Sequence, residues 1–231
     1  MSALTRSPDA SEPSRKPEAA GVMLTSVDTL RKRARAHLAD GAVTAGYGEQ
    51  REQVLALLDA ALATELVCML RYRRHHFMAR GAHAKTVADE FLVHSQQELQ
   101  HADWLAERIA QLGGAPDFAP AGLLQRSHAQ YVEGSTLAEM VRENLVAERI
   151  AIDSYREFIA FLGGGDTTTR RLLETILSTE EEHADELAAL LQGMPAEGPS
   201  RPAISHGPDL SGSCASHSRH FHCVGGTPRR P

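Results

Sequence analysis

Four glutamates and two histidines stand out by type and spacing. Glu65, Glu98, Glu148 and Glu180 each interrupt an otherwise apolar stripe. The second and fourth are followed three residues later by histidine, as Glu98-Leu-Gln-His101 and Glu180-Glu-Glu-His183. Residues three apart on an α-helix share a face, so each glutamate and its histidine can aim at one inward spot. Four carboxylates gathered in an apolar interior are costly unless they are protonated or paired, and their stripes show no lysine or arginine to pair with. Two divalent cations would cancel the four negative charges and bind both imidazoles neutral. Hard oxygens with two nitrogens suit iron or manganese, whereas zinc more often takes thiolates or three histidines.

These six residues need helices to hold them. Of the eleven prolines, only Pro116 and Pro120 fall between residues 18 and 194, and glycines between 50 and 192 are confined to Gly81, Gly113, Gly114, Gly122, Gly134 and Gly163 to Gly165. Because proline and glycine punctuate helices, four long uninterrupted segments are predicted, at about 50–80, 84–112, 136–162 and 167–192. Each carries apolar residues at three- and four-residue steps, such as Val54, Leu58 and Leu62 in the first and Leu173, Ile176 and Leu177 in the fourth. Thr136 with Glu139 has the spacing of a capping box, and Asp166 can cap the fourth segment.

Connection lengths suggest the topology. The first and second segments join around Gly81, and the third and fourth join through Gly163 to Asp166, so each pair forms an antiparallel hairpin. The 23 residues from 113 to 135 reach up to about 75 Å when extended, longer than a helix of ~28 residues at roughly 42 Å. They can therefore cross the whole bundle. In the first hairpin the midpoint of Glu65 and Glu98 falls in the glycine turn, as does that of Glu148 and Glu180 in the second, so all four glutamates lie at one depth. The halves also repeat: Tyr72 follows Glu65 by seven residues, as Tyr155 follows Glu148. The reading is an all-α, antiparallel four-helix bundle with one long crossover and pseudo-twofold symmetry.

Composition agrees with this reading. Thirty acids against 24 bases give a net charge of −6, which removes a chain-wide nucleic-acid footprint. No apolar run approaches the ~20 residues of a membrane span, so no membrane partner is expected. The first residues hold no apolar signal core, and three cysteines make no disulfide framework; a cytoplasmic setting is expected. The domain reading is a disordered arm at 1–26, a short helix and linker at 27–49 with helix over about 27–38, the bundle at 50–192, and a disordered Gly/Pro/Ser/His-rich tail at 193–231.

The six-residue pattern resembles the ferritin superfamily, specifically the bacterioferritin-like and Dps-like mini-ferritins with a di-iron centre inside one subunit, over about residues 50–192. The resemblance implies that Glu65, Glu98, His101, Glu148, Glu180 and His183 bind two iron ions per subunit, with manganese the other candidate, and that Tyr72 lies beside the ferroxidase centre. It further implies oxidation of ferrous iron by dioxygen or hydrogen peroxide, and a hollow homo-oligomer holding ferric mineral. Where bacterioferritin places its haem-ligating methionine this chain has Leu99, which argues against haem. Pro195 and Pro199 interrupt the place of the short fifth helix of 24-subunit ferritins, which favours a 12-mer over a 24-mer. The alternative is a di-metal oxidoreductase of the manganese-catalase, rubrerythrin or quinone-hydroxylase type; against rubrerythrin, the chain has no Cys-x-x-Cys.

Lesser features also admit plainer readings. Tyr72 and Tyr155 are candidates to orient ligands or supply an electron, or else are core tyrosines. Cys68 reads as a small buried hydrophobe. Dps relatives hold DNA through basic arms, but the run Arg31 to Arg35 sits in a segment, residues 1–40, with seven bases and five acids, which favours a solvated face over DNA binding. Arg71, Arg73, Arg74, His75, His76 and Arg80 crowd the end of the first long helix, where favourable interaction with the helix dipole explains them. The Cys214 to Cys223 run in the tail matches no standard zinc module.

Overall fold

The computed structural model describes residues 25–36, 38–44, 47, 50–81 and 84–194; the arm before residue 25 and the tail after 194, with Cys214 to Cys223, lie outside the described residues. Every regular element among the described residues is helical. A short helix α1 spans Val27–Ala34 and is N-capped by Ser26, whose hydroxyl accepts from the Thr29 amide. It stops four residues before the expected end, and a separate 3₁₀ turn follows at Leu38–Asp40. The long helices are α2 (Arg51–Met78), α3 (Ala84–Gln111), α5 (Leu137–Leu162) and α6 (Thr167–Gly193), with a one-turn helix α4 (Leu123–Arg126) in the crossover. At 1.5 Å per residue the 28 residues of α2 run about 42 Å.

The start and stop signals behave as their chemistry dictates. Thr136 and Glu139 form the reciprocal capping box of α5, and Asp166 accepts from the Thr169 amide at the start of α6. Gly163 ends α5 with φ of 50°, a backbone region that a Cβ disfavours. Gly134, before α5, has φ of 61°, and a Cβ there would lie 3.0 Å from the Met140 nitrogen. Within the crossover Pro120 opens a 3₁₀ turn that leads into α4, in keeping with proline's fixed φ.

The α2–α3 and α5–α6 hairpins pack together with two apolar clusters between them. One contains Val54, Leu58, Leu62, Leu105, Ile109, Leu162, Leu173 and Ile176; the other contains Tyr72, Val87, Phe91, Val141 and Leu187. Glu98, Glu148 and Glu180 lie in the interval between these two clusters along their helices, and Glu65 lies among the first cluster's members on α2, between Ala63 and Leu66. Truncating a fully buried member such as Leu62 or Phe91 to alanine would cost about 3 kcal/mol. At one end of the bundle Arg108 of α3 clasps Asp166, Nη2 to both carboxylate oxygens at 3.0 and 3.1 Å, while its Nε donates to Thr169 Oγ1 at 2.7 Å. The Tyr47 hydroxyl donates to the same carboxylate.

Two expectations need correction. The first is that no stretch is apolar enough for a membrane span: α2 is long and apolar enough by length and composition, and 56% of that stretch is buried inside the protein. Glu65 sits in its middle at 1% exposure, so its apolarity is that of a core helix facing neighbours on most sides. The second is the dipole explanation for Arg71 and His75, which are 1% and 0% exposed. Arg71 is thus a buried cation on α2 after all. Its Nε donates to Asn144 Oδ1 at 2.9 Å, Nη1 to the Gln130 carbonyl at 2.7 Å, and Nη2 to Cys68 Sγ at 3.8 Å. Asn144 Nδ2 lies 3.0 Å from His75 Nδ1, and His75 Nε2 lies 2.9 Å from the Glu133 carbonyl. These two residues pin the crossover to α2 and α5, and none of these bonds goes to the four glutamates.

Candidate metal centre

The six residues singled out by spacing meet in the bundle interior. Glu65, Glu98, Glu148 and Glu180 and the two histidines, His101 and His183, are each at most 2% exposed. Their donor atoms fall into two overlapping sets: Glu65, Glu98, His101 and Glu180 in one, Glu98, Glu148, Glu180 and His183 in the other. Within each set the atoms lie within 4.8 Å of one another. Glu98 and Glu180, the two glutamates of the Glu-x-x-His pairs, belong to both sets. Glu65 and Glu148 each belong to one, as the pseudo-twofold repeat requires. His101 Nδ1 is 2.9 Å from Glu180 Oε1 and 3.3 Å from Glu65 Oε2; His183 Nδ1 is 3.3 Å from Glu180 Oε2 and 3.5 Å from Glu98 Oε1.

The tyrosines complete the symmetry. Tyr72 donates to Glu148 and Tyr155 to Glu65, so each hydroxyl bonds the carboxylate contributed by the other half of the bundle. Both tyrosines are buried, and the groups that satisfy their hydroxyls belong to this cluster. Cys68 is buried, and burial pushes its thiol well up, keeping it protonated.

Three observations show what the cluster is fit to hold. Buried polar atoms normally find hydrogen-bond partners, yet Glu98 Oε1, Glu148 Oε2, Glu180 Oε2 and His183 Nδ1 have none. His183 Nε2 lies 2.9 Å from Gln97 Oε1, a contact that requires the ring proton on Nε2 and turns the Nδ1 lone pair inward. Gln97 is a functional neighbour that sequence reasoning missed; its position beside Glu98 was the only available signal.

The third observation is electrostatic. Burial, then the charges of Glu180, Glu148 and Glu65, hold Glu98 well above the usual carboxylate range. Burial and the Glu180 charge do the same to Glu148, and burial with the Glu65 charge raises Glu180. Glu65 goes the other way: burial pushes it up, but hydrogen bonds to Glu98 and His101 more than offset this. His101 is disfavoured as a cation by burial, yet its bonds to Glu180 and Glu65 push it up to about 10. Without metal, the cluster is therefore tolerable only by holding protons in place of other positive charge. The donor set, two carboxylates shared and one carboxylate and one imidazole at each end, fits a pair of divalent cations.

This fold and donor set are those of the ferritin-like class. The family model described as a ferritin-like domain matches residues 55–196, and the chain belongs to that family. It is 32% identical over 142 residues to the nutrient stress-induced DNA-binding protein of Synechococcus sp., covering 60% of this chain and 81% of that one. It is 31% identical over 139 residues to the bacterioferritin of Mycobacterium leprae, covering 60% and 83%. Among solved structures it is similar to a dodecameric thioferritin, the bacterioferritin-related protein from Bacteroides fragilis, at a TM-score of 0.60 and 30% identity, covering 62% of this chain and 86% of that one.

Proposed function

We propose that this protein is a ferroxidase that takes ferrous iron as its substrate and stores or detoxifies it as ferric mineral. Glu65, Glu98, His101, Glu148, Glu180 and His183 would bind two ferrous ions, and Tyr72 and Tyr155 would steady the two outer carboxylates. The observation that carries this reading is the sharing of Glu98 and Glu180 between two donor sets. Two ferrous ions held side by side supply the two electrons that, with two protons, turn dioxygen into hydrogen peroxide or hydrogen peroxide into water. The buried, proton-laden carboxylates are the groups able to give up those protons as positive charge arrives.

The bacterioferritin relative and the bacterioferritin-related neighbour support iron chemistry at this pocket, and the dodecameric neighbour supports a closed twelve-subunit shell. The chain itself leaves Leu70, Val93, Leu99, Val146 and Phe161 between 40% and 47% exposed, surface that a homo-oligomer would cover. Leu99 offers no sulfur to haem. The DNA-binding relative makes duplex DNA a partner worth testing, but Arg31 to Arg35, at the end of α1 and its C-cap, are solvent-exposed and the segment's net charge is small. A cytoplasmic setting is part of the proposal.

The test is aerobic oxidation of ferrous iron, followed by absorbance, in the wild type and in Glu98→Ala plus Glu180→Ala. Rapid oxidation with a soluble brown core near the mass of twelve subunits supports the reading, provided the double variant loses the rapid phase and keeps its helices. Equal rates in both proteins would overturn the site. A dimer or monomer that holds two manganese ions and evolves oxygen from peroxide would establish the catalase alternative.

A further inference from the structure

One more set of metal-ligating side chains comes together among the described residues, outside the six-residue centre. Glu90 and His94 of α3 and Glu186 of α6 each bring a donor atom within 4.8 Å of the others. Hydrogen-bond counting at His94 gives this set its meaning. Tyr72 has a single hydroxyl hydrogen and donates it to Glu148. His94 Nδ1 lies 3.2 Å from the Tyr72 oxygen, so once cations in the inner centre ionise Glu148 and Tyr72 donates to it, the hydrogen joining Tyr72 and His94 must sit on Nδ1. A neutral imidazole with that tautomer leaves Nε2 as a lone pair.

That lone pair faces only acceptors: Glu186 Oε2 at 2.9 Å and Glu90 Oε1 at 3.4 Å. His94 is 0% exposed, so water does not reach past the carboxylates to satisfy it. In that tautomer a buried nitrogen acceptor aimed at two carboxylate oxygens is a repulsive arrangement, which a proton on Nε2 or a metal cation among the three relieves. The carboxylates themselves reach outward, at 34% and 53% exposure. Together with Val87, Leu190 and Met194 they line an open groove of about 550 Å³. The other face of the His94 ring stacks on His183, with ring centroids 4.0 Å apart.

We propose that Glu90, His94 and Glu186 form a third divalent-cation site on the wall of this groove, set between solvent and the six-residue centre. One nitrogen and two carboxylates suit ferrous, manganous or zinc ions. A cation on Nε2 locks the proton on Nδ1 and so holds Tyr72 in the orientation that donates to Glu148. The site is therefore coupled to the inner pair through a two-bond relay. The tautomer argument rests on the proposed function, since it takes Glu148 as ionised; the convergence of the three side chains does not.

The test is Mn²⁺ binding to the full chain, counted by equilibrium dialysis and the electron paramagnetic resonance of free Mn²⁺. A hard ion is chosen because the thiols and imidazoles of the tail compete poorly for it. The wild type is expected to hold three ions per chain, Glu90→Gln plus Glu186→Gln two, and Glu98→Gln plus Glu180→Gln only the outer one. Both outer glutamates are partly exposed and glutamine has the same shape, so the first variant retains the fold. Two ions in the wild type, unchanged by Glu90→Gln plus Glu186→Gln, would overturn the third site and leave the inner pair standing. Three ions in both proteins would overturn it equally. A wild type that holds only one ion, absent from Glu90→Gln plus Glu186→Gln, would keep the third site and overturn the inner pair.

Discussion

Tyr72 of α2 donates its hydroxyl hydrogen to Glu148 of α5, across the interface between the two hairpins. Tyr155 of α5 returns the same bond to Glu65 of α2. The hairpins are thus latched to each other by the acids that would hold metal, so positioning of the site and packing of the bundle are one problem.

Replacing Tyr72 with phenylalanine removes one latch and leaves a buried Glu148 oxygen without its donor, which costs about 1–3 kcal/mol. Urea unfolding of the metal-free protein should show that loss. Stopped-flow oxidation of ferrous iron should slow by about tenfold, the equivalent of ~1.4 kcal/mol in the barrier. Tyr155→Phe should lose comparable stability, by symmetry. A Tyr72→Phe protein as stable and as fast as wild type would remove the tyrosine from the account.

Metal should act as a folding ligand. At a free concentration one hundred times its Kd, a cation bound only by the folded state adds about 2.7 kcal/mol per site. Thermal melts with Mn²⁺ should therefore lie well above melts in chelator for the wild type. The metal-free Glu98→Gln plus Glu180→Gln variant should equal or exceed the metal-free wild type, because it relieves uncompensated buried charge. Its gain from Mn²⁺ should be far smaller.

Proton release gives the pH dependence of uptake. Glu98 and Glu148 are held well above the usual carboxylate range by burial and neighbouring charge, and His101 sits at about 10. Protons on these groups must leave for a cation to bind. Each displaced proton makes the affinity tenfold tighter per pH unit, so Mn²⁺ binding should tighten steeply between pH 6 and 8. A weakly buffered indicator should record acid released on mixing. A pH-independent Kd would contradict the assignment.

His75 carries a separate pH signature. Burial, then the charge of Arg71, lowers its pKa from 6.5 to about 4. It is neutral when folded, with Nδ1 set to accept from Asn144 and Nε2 set to donate to the Glu133 carbonyl. The unfolded chain therefore binds a proton here that the folded chain refuses over that interval. The stability His75 contributes is complete above pH 6.5 and is lost as pH falls toward 4, by up to about 3 kcal/mol. The stability difference between wild type and His75→Gln should shrink over that window.

The long helices and the six-residue cluster were legible because both rest on local periodicity. A stripe every three or four residues, a capping box within four residues and a Glu-x-x-His step all lie inside one helix. What escaped lies across helices. Gln97 matters only because α6 brings His183 opposite it, and His94 only because Tyr72 and Glu186 arrive from α2 and α6. Arg71 and His75 looked like helix-end cations because nothing near them in the chain announces Asn144 or the crossover carbonyls. Asn144 was a polar residue one turn before Glu148 on the buried side of α5, and that placement was a readable signal. The one-turn helix α4 is too short for periodicity to show.

The most direct measurement is anomalous diffraction from crystals soaked in Mn²⁺ or, without oxygen, in ferrous iron. Two strong peaks are expected inside the bundle, both bonded to Glu98 and Glu180, one also to Glu65 and His101 and the other to Glu148 and His183. Peaks confined to the outer surface, with none touching Glu98 or Glu180, would contradict the account.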